Sequence, residues 1–429
     1  MVNSNLNRRQ FLKITSLGSL VAGAGALGSG VLVPTGLWAS SPKIKGPFKI
    51  GYQAVLSGTL AGNGEFHKMG ALMAVEEINQ KGGIAGNKLE IEIRDSTQKT
   101  DEVLKNAYYF VDSWGADFLA GLDLSGQSLA LAPVMDKLDR ILMVTNAATE
   151  KLTEEWVVRK GIKQLFRICS SIYHDALGAA FLARDFSAQK WAVVNSKNEY
   201  GQSSWKMFQE ALKKIKPGVS FVAESWISSG QSDFRSHINT ILEANPEGLY
   251  STERGSNLIT FIRQAKQAGL FEKIRTILFP LGVSMDVLET LGQEMPDNIW
   301  VSGRYFFPYP PSRVNTDWVL RFRKRWNRYP SSVSENAYSS VYAFKAALEK
   351  AGSKETKALI KALEGMELET PAGHRLFRKE DHQAIYDLPW GRTKSDSKYP
   401  FKIMGEMKII PAKVYAHRPL FEGPGGDPH

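Results

Sequence analysis

The chain has 429 residues, of which 43% are hydrophobic and 23% charged, and its formal net charge at pH 7 is +10. This length is sufficient for two domains, and the composition excludes a disordered or fibrous protein. The basic residues are spread along the chain, and their densest run, residues 321–328, alternates with aromatics as on a solvated helix face, so no nucleic-acid partner is expected. The single cysteine, Cys169, excludes an intramolecular disulfide.

The first 41 residues differ from the remainder of the chain. Arg8 and Arg9 precede an uncharged run that contains several glycines, at residues 14–33. Twin arginines followed by such a run resemble a twin-arginine export signal, so we interpret residues 1–41 as a signal cleaved near Ala39 or Ser41. The alternative is a retained membrane anchor, because about twenty uncharged residues can span a bilayer. On the export interpretation, the mature protein is soluble and periplasmic or extracytoplasmic.

A strand, a glycine-rich loop and a long helix are predicted within residues 49–86. Residues 49–56 are apolar, residues 57–64 are rich in turn formers, and a 3.6-residue apolar stripe begins near Glu65 and stops at Gly82 and Gly83. A helix that follows a strand presents free N–H groups and the positive end of its dipole, which suits a carboxylate. The alternative is a plain βα unit whose loop contacts only solvent. The glycines do not follow the GxGxxG spacing of a dinucleotide site.

The same alternation continues along the chain. Strands are predicted at residues 88–94, 117–120 and 141–144, with helices at 100–114 and from about Ser128; the pattern restarts with strands at 191–195, 220–225, 248–251 and 275–279 and helices at 204–215, 232–243, 256–267 and 285–291. This rhythm predicts an α/β protein with two doubly wound parallel-sheet lobes.

The last third of the chain is predicted to begin with a return to the first lobe. We interpret residues 300–311 as a crossing back, residues 315–327 and 334–351 as helices added to the first lobe, and residues 373–415 as strands and turns. The predicted division is an export signal at 1–41, lobe 1 at 47–167, lobe 2 at 168–298, a return to lobe 1 at 299–371, the end of lobe 2 and a hinge at 372–415, and a tail at 416–429.

Candidate ligand contacts follow several of the predicted strands, where open parallel sheets bind ligands. Ser125, Gly126 and Gln127 precede a helix, and Ala148 and Thr149 follow a strand, so both loops can offer hydroxyl and N–H groups to a carboxylate. In the other half of the chain, Tyr200 lies in the loop at 197–202 and could cover a ligand with its aromatic face. The alternatives are that Ser125 and Thr149 cap helices and that Tyr200 is a surface turn residue.

The sequence contains no catalytic or metal-binding motif that we recognise. GxSxG, HExxH and paired Cys or His ligand spacings are absent, and His374 and His382 are expected at the surface. We therefore predict no enzymatic activity, no cofactor and no metal.

Several segments together resemble the periplasmic Leu/Ile/Val-binding protein family, the type I substrate-binding proteins of ABC importers. They are the opening unit with its run AVEEINQKGGIAGNKLEIEIRDS, then SGQSLALAPV, ILMVTNAAT, NEYGQS, SGQSDF and YSSVYAFKAALEKAGS. The resemblance implies two lobes, joined by three hinge crossings, that close on a small molecule and deliver it to a membrane permease with its ATPase subunits. By similarity, Ser125, Gly126 and Gln127 match the first-lobe hydroxyl loop, Ala148 and Thr149 the second carboxylate contact, and Tyr200 the aromatic residue of the opposite lobe.

One position departs from this family. Amino-acid binders carry an acidic residue there for the ligand's ammonium group, whereas this chain has Leu281. A buried ammonium without a charged partner is costly, so either Glu199 or Glu253 substitutes or the ligand lacks an amino group. Arg254 matches another lining position and favours a second carboxylate or an aromatic acid. The predicted function is binding of a small amino acid or carboxylate for an ABC permease, with a non-amino organic acid or a ligand-sensing receptor subunit as alternatives.

Overall fold

The structure is a computed structural model that describes residues 44–228 and 230–416. The predicted export signal and cleavage site, and the tail beyond residue 416, lie outside the described residues. Within the described ranges, no helix combines the length and apolar character needed to cross a membrane.

The first sheet has five parallel strands in the order β2-β1-β3-β4-β5. These strands are β1 Phe48–Ala54, β2 Leu89–Asp95, β3 Phe118–Gly121, β4 Ile141–Val144 and β5 Leu165–Arg167. The helices of this half are α1 Ala61–Gln80, α2 Thr100–Tyr108 with a π-helical continuation at Tyr109–Trp114, α3 Ser125–Leu131 and α4 Met135–Leu138, followed by a π-helical segment at Leu152–Arg159.

The second sheet has seven strands in the order β15-β14-β10-β9-β8-β6-β7. Strands β6 to β10 are parallel to one another, whereas β14 and β15 are antiparallel additions at one edge. The strands are β6 Lys190–Ser196, β7 Ser220–Ile227, β8 Gly248–Tyr250, β9 Thr276–Phe279, β10 Trp300–Ser302, β14 Leu388–Lys394 and β15 Ile403–Ile410. The helices are α5 Ile172–Arg184, α6 Glu199–Ile215, α7 Arg235–Glu243, α8 Gly255–Gln267, α9 Leu270–Lys273 and α10 Met285–Leu291.

The chain returns to the first half after β10 and then crosses once more to β14. The returning helices are α11 Arg313–Trp326, α12 Ser332–Ala351 and α13 Thr356–Leu363, and a small antiparallel sheet follows with β11 Glu367–Thr370, β12 Gly373–Phe377 and β13 Ala384–Ile385. Helix α12 packs closely on α1, because Gly70 lies where an added Cβ would be 2.0 Å from the Ser334 carbonyl oxygen. The ring of Phe344 also stacks on Phe118 of β3, with centroids 4.4 Å apart.

The predicted α/β class, with two sets of parallel strands, is confirmed. The residue limits of the lobes stay a prediction, although the second sheet includes Trp300–Ser302 and so extends past residue 298. The expectation that His382 is exposed was wrong. Its ring stacks on Phe166 with centroids 4.0 Å apart, and its Nδ1 lies 2.9 Å from the Leu165 carbonyl oxygen. His374, in contrast, has a half-exposed side chain.

Candidate functional site

A cavity of about 420 Å³ lies between the two sheets, at the carboxyl ends of their parallel strands. Loops that follow β1, β2 and β3 form one wall, and loops that follow β6, β7 and β8 form the other. The cavity therefore occupies the position at which two doubly wound sheets that face each other bind ligands. Its lining residues are Thr59, Leu60, Gln98, Thr100, Leu124, Ser125, Gly126, Gln127, Ser196, Lys197, Asn198, Glu199, Tyr200, Gly201, Ile227, Ser228, Gly230, Thr252, Glu253, Arg254 and Asn257.

The two walls of this cavity differ in charge. The wall from the first sheet is uncharged and offers hydroxyl, amide and backbone groups. All the charged lining residues come from the second sheet: Lys197, Glu199, Glu253 and Arg254. The electrostatic character of the cavity is thus set by one lobe.

Arg254 is one of two cations in the cavity lining. It precedes α8, its Nη2 donates to the main-chain oxygen of Asp123 at 3.3 Å, and its guanidinium carbon lies 5.4 Å from the centroid of the Tyr200 ring. Among the described residues, no carboxylate lies within ion-pair distance of this guanidinium. Burial lowers the pKa of Arg254, against the opposing effect of nearby Tyr200 and Asp123. A ligand carboxylate would supply the missing partner.

Glu253, the neighbour of Arg254, is a buried carboxylate with its own hydrogen-bond donors. Its Oε1 accepts from the backbone N–H and from the hydroxyl of Ser196, and its Oε2 accepts from Asn257 Nδ2 at 3.2 Å. Burial raises the pKa of Glu253 despite these hydrogen bonds. This carboxylate is therefore engaged within the second lobe.

Glu199 joins the two lobes at the edge of the cavity. Its Oε1 accepts from Thr149 Oγ1 at 2.9 Å and its Oε2 pairs with Lys151 Nζ at 2.8 Å, and both partners follow β4 of the first sheet. Partial burial acts to raise the pKa of Glu199, but hydrogen bonds from Lys151, Thr149 and Ser203 outweigh it and lower that pKa. This carboxylate therefore links the start of α6 to the loop that follows β4 of the first sheet.

We expect Glu199→Gln to weaken ligand binding by a few fold, because closure loses a partly exposed ion pair between the lobes. Isothermal titration calorimetry with a bound acid would measure the change. Glu210→Gln is the matched control, because Glu210 pairs with Lys206 within the same helix and contacts neither the cavity nor the first lobe. Equal affinity losses in the two variants would contradict this role for Glu199.

Five of the eight predicted site residues line the cavity: Ser125, Gly126, Gln127, Tyr200 and Arg254. Ser125 Oγ is buried and has no hydrogen-bond partner among the described residues, so it is available to a ligand. Gln127 instead donates from Nε2 to the Ser96 carbonyl oxygen at 3.0 Å, which fixes its loop against the loop after β2.

The remaining three predicted residues lie beside the cavity rather than in its lining. Ala148 and Leu281 form a buried apolar cluster with Ile172 and Tyr200, and Thr149 donates its hydroxyl to Glu199. Their role in ligand binding stays a prediction.

Sequence analysis did not identify a buried ion pair next to Tyr200. Arg304 Nη2 lies 2.6 Å from Asp175 Oδ2, Arg304 Nη1 donates to the Asn146 carbonyl oxygen at 3.0 Å, and the Tyr200 hydroxyl donates to Asp175 at 2.9 Å. The guanidinium carbon of Arg304 is 5.8 Å from the Tyr200 ring centroid. Asp175 and Arg304 are 129 residues apart, so no local pattern could have paired them.

A second buried network supports the first-lobe wall. His67 Nε2 lies 3.0 Å from Asp123 Oδ1, its Nδ1 lies 2.7 Å from the Tyr52 hydroxyl, and the Val55 N–H donates to Asp123 Oδ2 at 2.9 Å. Burial acts to raise the pKa of Asp123, but His67 and the hydrogen bonds lower it. The network fixes Asp123, whose main-chain oxygen accepts from Arg254 across the cavity. In the part of the chain that the structure describes, no cluster of His, Cys, Asp or Glu could hold a metal.

Comparison with known proteins gives concordant results. A family model described as "Periplasmic binding protein" matches residues 47–398. The leucine-, isoleucine-, valine-, threonine-, and alanine-binding protein of Pseudomonas aeruginosa is 25% identical over 343 residues, which is 79% of this chain and 88% of the relative. The Leu/Ile/Val-binding protein BraC3 of Rhizobium johnstonii is 28% identical over 343 residues, covering 78% and 88%.

The fold also matches solved structures. An ABC transporter solute-binding protein from Rhodopseudomonas palustris, solved in complex with 3,4-dihydroxybenzoic acid, superposes with a TM-score of 0.76 at 19% identity. The match covers 85% of this chain and 97% of that one.

Proposed function

Because this chain belongs to the periplasmic binding protein family and is a substrate-binding component of an ABC transporter of the branched-chain amino acid type, we propose that Arg254 binds its ligand's carboxylate. The observation that carries the proposal is a guanidinium in the cavity lining that has no carboxylate partner among the described residues. Pairing such a group with a ligand carboxylate gives a charge-assisted, bidentate interaction. The buried and unpartnered Ser125 Oγ supports a second hydrogen bond from the opposite wall.

The remaining elements of the proposal concern partners and chemistry. Closure of the two lobes over the ligand would present the complex to a membrane permease, which works with ATPase subunits. The protein binds and delivers its ligand without transforming it, and nucleic acid has no part in its function. The named relatives are binding proteins, which supports this reading.

The export route is also proposed. Arg8, Arg9 and the uncharged run at residues 14–33 support a twin-arginine signal and a periplasmic location for the mature chain. Mass spectrometry of protein recovered from the periplasm of exporting cells should give an amino terminus near residues 40–42. Recovery of the intact chain from the membrane fraction would instead support the retained anchor.

Thermal unfolding in the presence of candidate acids tests the proposed function. Residues 42–429 would first be unfolded, dialysed and refolded to remove any co-purified ligand, in a buffer free of small carboxylates. We expect a subset of aliphatic and aromatic carboxylic acids at high excess to raise the unfolding midpoint by several degrees, because ligands that bind the folded state stabilise it by mass action. The corresponding primary amides should have little effect, because they cannot pair with Arg254. Equal stabilisation by acids and amides would contradict a carboxylate site.

A further inference from the structure

We infer that the cavity selects organic acids that carry no ammonium group, so that each acid binds more tightly than the α-amino acid of the same carbon skeleton. The inference rests on the proposed carboxylate site at Arg254. It further specifies which ligand groups the rest of the cavity accepts and which it rejects. The charged groups around the cavity differ in whether they already have partners within the protein.

The acidic lining residues, Glu199 and Glu253, are both occupied by donors of the protein itself. Glu253 accepts three hydrogen bonds, from the N–H and hydroxyl of Ser196 and from Asn257. Glu199 accepts from Thr149 and Ser203 and pairs with Lys151. An incoming ammonium would have to compete with these donors for the carboxylate oxygens, and any donor that lost its acceptor inside the cavity would cost free energy.

A third carboxylate, Asp175, lies behind Tyr200 and is paired with a cation of the protein. Arg304 pairs with it in a bidentate manner, with Nε to Oδ1 and Oδ2 distances of 3.3 and 3.2 Å and an Nη2 to Oδ2 distance of 2.6 Å. The Tyr200 hydroxyl donates to the same carboxylate. Asp175 is therefore already compensated by Arg304 and offers no free negative charge to a ligand ammonium.

The cations of the lining, in contrast, are not paired with any carboxylate of the described residues. Among the described residues, neither Arg254 nor Lys197 has a carboxylate within ion-pair distance, and the Lys197 side chain is exposed. An ammonium group bound beside Arg254 would therefore be repelled by a guanidinium that has no ion-pair partner among the described residues. Leu281 adds an apolar surface next to Tyr200 and Ala148, where it offers no compensating charge.

Matched pairs of ligands test the inference. Leucine and 4-methylpentanoate differ only by the α-ammonium group, as do phenylalanine and 3-phenylpropanoate. Isothermal titration calorimetry with the refolded protein should show at least about tenfold tighter binding of the acid than of the amino acid in each pair that binds, because an uncompensated ammonium must be desolvated. Tighter binding of either amino acid would overturn the inference and leave the proposed function intact. Equal affinity for the acid and the amino acid in a pair that binds would also overturn the inference, whereas failure of every carboxylic acid in the thermal screen would contradict the carboxylate site itself.

A variant gives an independent readout. Leu281→Glu introduces a carboxylate beside Tyr200, and Leu281→Gln introduces a polar group of similar size without the charge. We expect the ratio of acid to amino-acid affinity to fall at least several fold in Leu281→Glu relative to Leu281→Gln. An unchanged ratio in a folded variant, as judged by circular dichroism, would contradict the electrostatic explanation; if either variant does not fold, the wild-type ratios decide.

Discussion

Replacing Arg254 with methionine should reduce the affinity for a bound carboxylic acid by about a hundredfold. Methionine keeps much of the side-chain volume but removes the guanidinium that lines the cavity. Truncating one member of a buried, hydrogen-bonded charge pair commonly costs about 2–5 kcal/mol of binding free energy, because the other charge is left buried without a partner. Titration calorimetry of the wild type and the variant with the same acid measures the effect.

Arg263→Met provides the control for this experiment. Arg263 lies on α8, the helix that Arg254 precedes; it pairs with Glu294 at 2.9 Å and has a half-exposed side chain that does not line the cavity. The Arg263→Met substitution removes an equal charge nine residues away along the chain, so a long-range electrostatic effect would lower affinity in both variants. Full affinity in Arg254→Met would show that the carboxylate site lies elsewhere.

Replacing Arg304 with methionine should lower the free energy of unfolding of the ligand-free protein by about 3–5 kcal/mol. Arg304 is 1% exposed and Asp175 is 3% exposed, so the substitution leaves an uncompensated charge in the interior. The Asn146 carbonyl oxygen loses a donor at the same time. Denaturant unfolding of the refolded protein, followed by circular dichroism, measures the loss.

Two further variants distinguish the effect of losing the buried ion pair from the effect of losing an arginine in general. Arg313→Met removes an arginine whose side chain is 94% exposed and pairs with Asp317 on the surface, and it should change stability little. The double variant Asp175→Asn with Arg304→Met should be more stable than Arg304→Met alone, because no charge is then left unpaired. If the double variant were no more stable than the single one, packing rather than charge would explain the loss.

The regular strands and amphipathic helices could be predicted from the sequence with close limits. Ile141–Val144 and Met285–Leu291 have the predicted bounds. Helix α5 was not predicted, because nine of its thirteen residues are buried and it shows no polar face to reveal a helical period. Residues 197–202 were predicted as a loop, yet α6 begins at Glu199 because Asn198 Oδ1 accepts from the Gly201 N–H at 2.9 Å.

Part of the candidate site could also be predicted from the sequence. Loops after successive strands could be assigned to one edge of each sheet, which brought Ser125 and Tyr200 to the cavity. The partner of each charged group could not be predicted, because ion pairs and hydrogen bonds in the site join residues that are distant in sequence. Thr149 was predicted to meet the ligand and Glu199 was one candidate for its ammonium, whereas in the structure the two side chains bond to each other.

The difference in charge between the two walls of the cavity has a kinetic consequence. The two cations of the lining, Lys197 and Arg254, both belong to the wall from the second sheet, so we expect an anionic ligand to make its first contacts there. The association rate constant should therefore fall with ionic strength. The uncharged first wall can contribute only hydroxyl, amide and backbone contacts. We therefore expect charge changes on the second-sheet wall to alter the association rate constant, and changes to the contacts of the first-sheet wall to alter the dissociation rate constant.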